Sequence, residues 1–567
     1  MTQREASLMS QSPHGRRSDA FDPVRMGRAA VVANHPLAAM AGIRTLLAGG
    51  NAIDAAIAVG FAIGVAEPNG SGIGGDGYIM VHPANSRDVM VLNGTGAAPL
   101  AARAREGIAR TGLTSASVPG LVDAMLEAHR RWGRLPLAAC IEPAATLAED
   151  GVPVSHFQAQ MTAKYAALHT GDAAAIFAPA GRPLGPGEVR RNRDLAASYR
   201  LIGREGRDAF YKGPMRAAMV AMGPWFQAED FDRHRLRVEA AIHTQYRGHT
   251  VYEAPPNSSG VTLLQMLNLV ECFPVGELPP LSAEAIHIMV EAKRFAFIDR
   301  EAYLGDPDLV DMPLAGLLSK AYAAERARGI ALDRAATSIA PGDAWAFDPT
   351  GSGRSIPRAV PRHRSGDTTH FCIIDADGNA VGQLQSLNMM YGAQVVVPGT
   401  GILLNNRMTY WHTEAGHPND FVAGGRVRHT MNPVMVSGPG QSIAEGGSLR
   451  WVLGTPGGDT QVQSNLQALV GLIDHGFTEA EAMQCPRWTH HEDGTYSNHP
   501  HSETYELSIE TRVGDATMAA LAGLGHPVQP VGGWGARGSL GIIGIDPTSG
   551  SRFAAADLRR DGQALVI

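Results

Sequence analysis

The sequence predicts an α+β protein in which a pair of β-sheets is flanked by helices. Three observations carry this expectation. Alanine-rich helical periodicity fills residues 36–65, and further helical patterns recur at 120–132, 138–150, 261–272 and 283–303. A strand-rich block begins abruptly at Thr369, after a proline- and glycine-rich stretch that runs from 341 to 366. Periods of 3.6 and 2 distinguish the two kinds of segment. Helices gathered ahead of a strand-rich block suit sheets that bury one face against each other and the other against helices.

Residues 1–25 read as a loose, polar amino-terminal tail. The pair Arg16-Arg17 resembles a twin-arginine signal, but no apolar run follows it, which argues against a secretory leader. The longest apolar stretch, 52–65, contains Asp54 and is too short to span a bilayer. The expectation is a soluble, cytoplasmic protein with no membrane partner. A net charge of −7 over 567 residues argues against a nucleic-acid footprint. The four cysteines (Cys140, Cys272, Cys372, Cys485) are far apart and lack CxxC spacing, so neither a disulfide framework nor a zinc cage is expected.

Taken in order, residues 36–65 split into two helices at Gly49-Gly50-Asn51, with glycine ending the first and Asn51 capping the second. Residues 69–77 contain a formal GxGxxG at Gly70, Gly72 and Gly75. A dinucleotide fingerprint follows a strand and opens a helix, whereas this one follows a helix and opens the strand-like 78–81. It reads as a tight turn, and an oxidoreductase resting on it is disfavoured. Strand-like runs at 89–92 and 249–252 precede the main block. There, 371–374 and 380–384 flank Asp375-Ala376-Asp377-Gly378-Asn379, a strong hairpin turn. A turn centred near Asp377 places Thr368 beside Ser386, to within a residue. Strands at 401–404 and 451–453 and helices at 461–474 and 516–524 complete the chain. His490-His491 reads as a polar loop, and the absence of an HExxH-type pair argues against a metal.

The chemistry centres on Gly366-Asp367-Thr368-Thr369-His370. The stretch before it looks like an exposed connection, since prolines remove donors and glycines add backbone entropy. A cut between Asp367 and Thr368 would leave a chain beginning with threonine. Its hydroxyl could attack a carbonyl and its own α-amine, titrating near ~8, could take the proton.

Several separate stretches together resemble the gamma-glutamyltranspeptidase family of N-terminal-nucleophile hydrolases, from about Val31 to Arg560. They are Ala33-Asn34-His35-Pro36-Leu37-Ala38, Gly49-Gly50-Asn51-Ala52-Ile53-Asp54-Ala55-Ala56, the Gly72 to Gly77 turn, Asp367-Thr368-Thr369-His370, the GILLNN run at 401–406, Gly454-Thr455-Pro456-Gly457-Gly458 and Cys485-Pro486-Arg487. The resemblance implies an αββα sandwich made as one proenzyme and self-cleaved. The large subunit would be 26–367 and the small subunit 368–567, with a homo-oligomer of such heterodimers left open. It implies that Thr368 is the nucleophile, that Ser386 and Asn388 hold and tune it, and that the Gly457 and Gly458 amides form an oxyanion hole. Ser386 stands where the family usually has threonine. The reaction implied is acyl transfer from a small-molecule amide to water or an amine, with no cofactor and no metal.

The chain departs from the family pattern where a glutamyl group would be gripped by its charges. Thr95 stands where the family's arginine would pair with the α-carboxylate. Arg407 and Tyr410 follow GILLNN in place of a glutamine and the aspartate that holds the α-ammonium. His429-Thr430 replaces a pair of serines. A glutamyl ammonium would lose its carboxylate and face Arg407, so an anionic or neutral acyl group without the amine is expected. Alternatives are a glutathione hydrolase or gamma-glutamyltransferase that binds the amino acid differently, and an inactive binding homologue. The second is disfavoured by Thr368, Ser386, Asn388, Gly457 and Gly458 occurring together.

Overall fold

Two seven-stranded sheets stack face to face between two layers of helices. The computed structural model describes residues 24–104, 107–350, 367–492, 497–498 and 505–567. The tail up to residue 23 and the connecting stretch 351–366 lie outside the described residues.

The strands of the two sheets are β1 (Arg25–Gly27), β2 (Ala30–Ala33), β3 (Asp76–His82), β4 (Met90–Gly94), β5 (Arg237–Ala240), β6 (Ile242–Tyr246) and β7 (His249–Glu253), followed by β8 (Asp367–Ile374), β9 (Ala380–Asn388), β10 (Val434–Ser437), β11 (Leu449–Gly454), β12 (Gly541–Ile545), β13 (Arg552–Ala556) and β14 (Gln563–Val566). The first sheet runs β14-β2-β8-β9-β3-β4-β5 and the second β1-β13-β12-β11-β10-β7-β6. Neighbouring strands are antiparallel throughout both.

Side chains alternate across a strand, and the cores follow that period. From the first sheet, Val31, Ala33, Ile79, Val81, Phe371, Ile373 and Val381 enter a core shared with helices α1 (Pro36–Leu47), α2 (Ala52–Ala66), α3 (Leu121–Trp132), α4 (Leu137–Asp150) and α5 (Arg193–Glu205). Their neighbours Ala30, Val32, Tyr78, Met80, Cys372 and Ile374 face the other way, onto Tyr252, Met435, Val452, Ile543 and Ala554 of the second sheet. The outer face of that sheet, through Val251, Val434, Val436, Leu453 and Ile542, packs on α6 (Gly260–Val270), α7 (Ala283–Tyr303) and α8 (Thr460–Ile473). The result is an αββα sandwich.

Local signals explain the entry to the site. Asn51 accepts from the Ile53 and Asp54 amides at 3.0 Å each, and Asp54 returns a bond to the Asn51 amide. This capping box fixes the start of α2, which is buried on every side. The chain then turns through Gly70 to Gly77 into β3. A side chain at Gly74 would strike the Leu403 carbonyl and one at Gly75 the Ser386 carbonyl. The GxGxxG is therefore a close backbone approach, as expected.

Three expectations are corrected. Arg25 is not tail but part of β1, paired with Ala554. The strand expected over 401–404 is only Ile402–Leu403. His490 and His491 are no loop: both are buried in the strand Trp488–His491, which pairs with Glu506–Glu510. Among the described residues no helix is long and apolar enough to cross a membrane.

Candidate active site

The β8–β9 hairpin builds the site. Its ladder pairs Thr369 with Gln385 and His370 with Leu384, and a bulge then sets Asp367 opposite Asn388. Thr368 sits at the bulge, where the strand bends and side chains are re-aimed. Its hydroxyl donates to Ser386 Oγ at 3.2 Å, and Ser386 Oγ also accepts from the Asn388 amide at 2.8 Å. Asn388 takes the left-handed conformation, with φ of 83°. Its Nδ2 lies within bonding distance of the Asn406 carbonyl (3.0 Å), Thr409 Oγ1 (2.7 Å) and Asn498 Oδ1 (2.9 Å). Thr368 and Ser386, one beside the other as the hairpin arithmetic predicted, are both almost fully buried.

The next residue anchors the hairpin from its other face. Thr369 Oγ1 donates to Glu67 at 2.6 Å and accepts from Asn34 at 3.2 Å. Asn34 Oδ1 accepts from Ser539 Oγ at 3.0 Å, and the Ser539 amide donates to Thr455 Oγ1 at 3.0 Å. This chain of bonds links the Thr368 strand to the loop that holds Gly457 and Gly458. A second link is steric. His370 lies between the sheets against Gly454 and Gly541, where an added side chain would meet its ring at 2.6 and 3.2 Å. Burial drives its pKa down to about 3, so it is a neutral wedge at working pH.

Gly457 and Gly458 have φ of 125° and 59°, which explains why the positions are glycine. Their carbonyls accept the Thr460 and Gln461 amides at 3.1 Å, so the pair forms the entry to α8. The positive end of that helix favours a developing anion there. Asp459, the next residue, bonds Arg300 Nη1 at 2.5 Å and both the amide and hydroxyl of Ser497 at 2.9 Å.

Around these lie the residues expected to meet the acyl group. Arg407 is buried and donates through Nε to Asp76 Oδ2 at 3.2 Å, and its guanidinium lies over the Tyr410 ring at 4.6 Å. Arg407 Nη2 has no partner among the described residues. His429 Nε2 stands 3.6 Å from Asp76, and burial, followed by Arg407, holds its pKa well below the usual histidine value. Because His429 is neutral, this is a contact and not an ion pair. The Tyr410 and Thr430 hydroxyls bond each other at 3.0 Å. Thr95 is the exception: its hydroxyl donates to Asn93 at 2.7 Å and it is buried within a knot with Asn257. Only the neighbouring amide, Gly96 N–H, reaches the group, donating to Asp76 Oδ1 at 3.0 Å.

Sequence reasoning missed Asp76, Glu67, Asn34, Thr409 and the Arg300–Asp459 pair. Asp76 had a readable signal: one carboxylate set among glycines at the mouth of an apolar strand. Among the described residues, three donor groups have ligand atoms close enough to share a metal ion: Asp54–His129–Cys140, His287–Glu291–His526 and Glu301–His412–His417. None contains a residue of this site. In each the carboxylate already serves protein donors: the Arg134 amide for Asp54, Arg294 for Glu291 and Arg428 for Glu301.

An αββα sandwich of two antiparallel sheets between helix layers is the framework of an amide-bond hydrolase or acyltransferase of the N-terminal-nucleophile type. The chain belongs to the gamma-glutamyltranspeptidase family, whose model matches residues 38–567. It is 35% identical to the glutathione hydrolase-like YwrD proenzyme of Bacillus subtilis (strain 168), covering 95% of this chain and 98% of that one. Its identity to the acylase ACY 1 proenzyme of Pseudomonas sp. (strain V22) is 36%, covering 96% and 94%. Among solved structures, the cephalosporin acylase from Bacillus halodurans superposes with a TM-score of 0.85 at 30% identity, covering 98% and 99%.

Proposed function

We propose that this protein is a self-processing threonine amidohydrolase that removes a non-glutamyl acyl group ending in a carboxylate. The observation that carries the reading is Arg407, which lies over Tyr410 and is bonded to Asp76, itself across the ladder from the Ser386 that Thr368 bonds; the Asp76 carboxylate already serves Arg407 and Gly96 and is not free for a substrate ammonium. A glutamyl ammonium there would be a like charge to Arg407 in a buried site, a cost of several kcal/mol. A carboxylate instead matches the unpartnered Nη2 edge of the guanidinium.

The chemistry runs in two stages. In the uncut chain, Thr368 Oγ attacks the Asp367 carbonyl carbon, the C–N bond breaks, and the nitrogen takes up the proton as the new α-amine. Water hydrolyses the resulting ester and frees Thr368. In turnover that amine takes the Thr368 hydroxyl proton while Oγ attacks the substrate amide. The Gly457 and Gly458 amides receive the oxyanion, the amine product leaves with a proton, and water releases the acid. The two pieces would stay together, because β2 to β5 and β8, β9 and β14 form one sheet.

A glutathione hydrolase is the second reading. The name of the Bacillus subtilis relative favours it, as does Asp76, a carboxylate that could exchange Arg407 for an ammonium.

Two measurements test the proposal. Intact mass under denaturing conditions should give two fragments meeting between Asp367 and Thr368, while Thr368→Ala gives one inactive chain. The processed protein should then hydrolyse glutaryl anilide in preference to γ-glutamyl anilide. Preference for the glutamyl compound would hand the site to the second reading, and turnover by Thr368→Ala would remove the nucleophile.

A further inference from the structure

Asp76 opens β3, directly across the ladder from Ser386, the residue bonded to Thr368. Its neighbours are fixed as glycines: a side chain at Gly75 would strike the Ser386 carbonyl and one at Gly77 would meet Leu121 at 2.5 Å. Asp76 is thus the one side chain this stretch places here, and it is fully buried. Oδ1 accepts the Gly96 amide and Oδ2 accepts Arg407 Nε. The carboxylate therefore holds the guanidinium by its Nε edge and leaves Nη2 unpartnered.

We propose that Asp76 sets the charge preference of the acyl pocket. Ionised, it cancels the charge of Arg407, and the preference of the pocket for an acyl carboxylate over a neutral polar end is at its weakest. Protonated, it leaves Arg407 as one net positive charge for an acyl end that is a carboxylate. The inference rests on the reading of Arg407 as a wall of that pocket.

The groups facing Asp76 allow this single-proton switch. Arg407 comes from the turn Arg407–Tyr410 and His429 from the segment before β10. The hydroxyls of Tyr78, on the same strand, and of Tyr211 feel its charge, and burial raises both well above the usual tyrosine value. His429 is held neutral. With tyrosines and histidine uncharged, the sum is zero with Asp76 ionised and +1 with it protonated. Burial pushes the Asp76 carboxyl up to about 6, against the opposing pull of Arg407 and of the Gly96 and Gly120 amides. The switch then falls where the enzyme can be assayed on either side.

The test compares two anilides of one shape on the processed protein: glutaryl, with a terminal carboxylate, and glutaramyl, with a terminal primary amide. The ratio of their kcat/KM values is followed from pH 5.5 to 8. It cancels the titration of the Thr368 amine, which both substrates share, and glutarate stays ionised throughout. The ratio should fall about tenfold as pH rises through the range of the buried carboxyl. In Asp76→Asn it should be high and flat. A flat wild-type ratio that drops in Arg407→Met would overturn the role of Asp76 and keep Arg407 as the anion contact. A ratio unmoved by Arg407→Met would instead remove the reading beneath it, and the proposal with it. Should Asp76→Asn fold poorly, the wild-type profile decides alone.

Discussion

Ser386 Oγ stands between two donors, the Thr368 hydroxyl at 3.2 Å and the Asn388 amide at 2.8 Å. Thr368 sits at a bulge, so the ladder alone does not aim its side chain, and this bond supplies the aim. Removing it in Ser386→Ala should slow both self-cleavage and kcat by about 10–100-fold, the usual effect of a small misplacement of a reacting group. Ser386→Thr, which keeps the hydroxyl, should retain most of both rates. Mass-resolved cleavage time courses and anilide turnover check this; wild-type rates for the alanine variant would end the assignment. This pair was legible in the sequence because a tight turn converts residue numbers into neighbours. The Asp76–Arg407 bond was not, since it joins residues 331 positions apart on elements with no shared turn. What could be read was a lone carboxylate heading a strand that is buried along its whole length. A buried charge requires a partner, but sequence does not say which.

At the scale of elements, the entry to α8 depends on α7. Asp459 follows the glycine pair directly and would be a buried, unpaired anion without Arg300, which meets it at 2.5 Å. Arg300 also bonds Glu301 at 2.9 Å, and Glu301 in turn is held by Arg428 at 2.8 Å. The periodicity of residues 283–303 gave the helix with its observed ends. It could not give the partners of the charged residues, because a long helix with buried polar positions is defined by what packs on it. Arg300→Met should lower stability by about 3–5 kcal/mol, the cost of stranding a buried charge. It should also reduce kcat more than it raises KM if the Gly457–Gly458 loop is the proposed oxyanion hole, since that loop would move and the proposed acyl pocket would not. Thermal unfolding and steady-state kinetics together test this, and an unchanged melting temperature would show that Ser497 alone suffices for Asp459.

At the scale of the whole molecule, the layered arrangement was legible because strand alternation and helix periodicity each name a buried face. The interleaving of early and late strands in both sheets was not, as no local pattern encodes which strand sits between which. That tight sandwich encloses many histidines, and their protonation governs its response to acid. Burial lowers His35 to about 4, His370 to about 3, His417 to about 4, His491 to about 3 and His526 to about 3. Unfolded, each takes a proton below about 6.5. For a base lowered in the folded state, stability is complete above the unfolded pKa and is lost as pH falls toward the folded one. Asp76, raised to about 6, acts with the opposite sign, since the folded state holds its proton where the unfolded one has released it. Glu253 and Asp299, which burial also raises, act in the same sense as Asp76, but the histidines outnumber them, since burial lowers His82, His234, His429 and His490 too, so the histidines prevail. Each contributes a slope of up to about 1.4 kcal/mol per pH unit between pH 6.5 and its folded value. The melting temperature should therefore be level from pH 8 to 7 and fall steadily from 6.5 to 4.5, with unfolding taking up more than two protons. A melting temperature that does not change across that acid range would mean that these histidines are hydrated or paired in solution, and that the layers are less tightly closed than their packing implies.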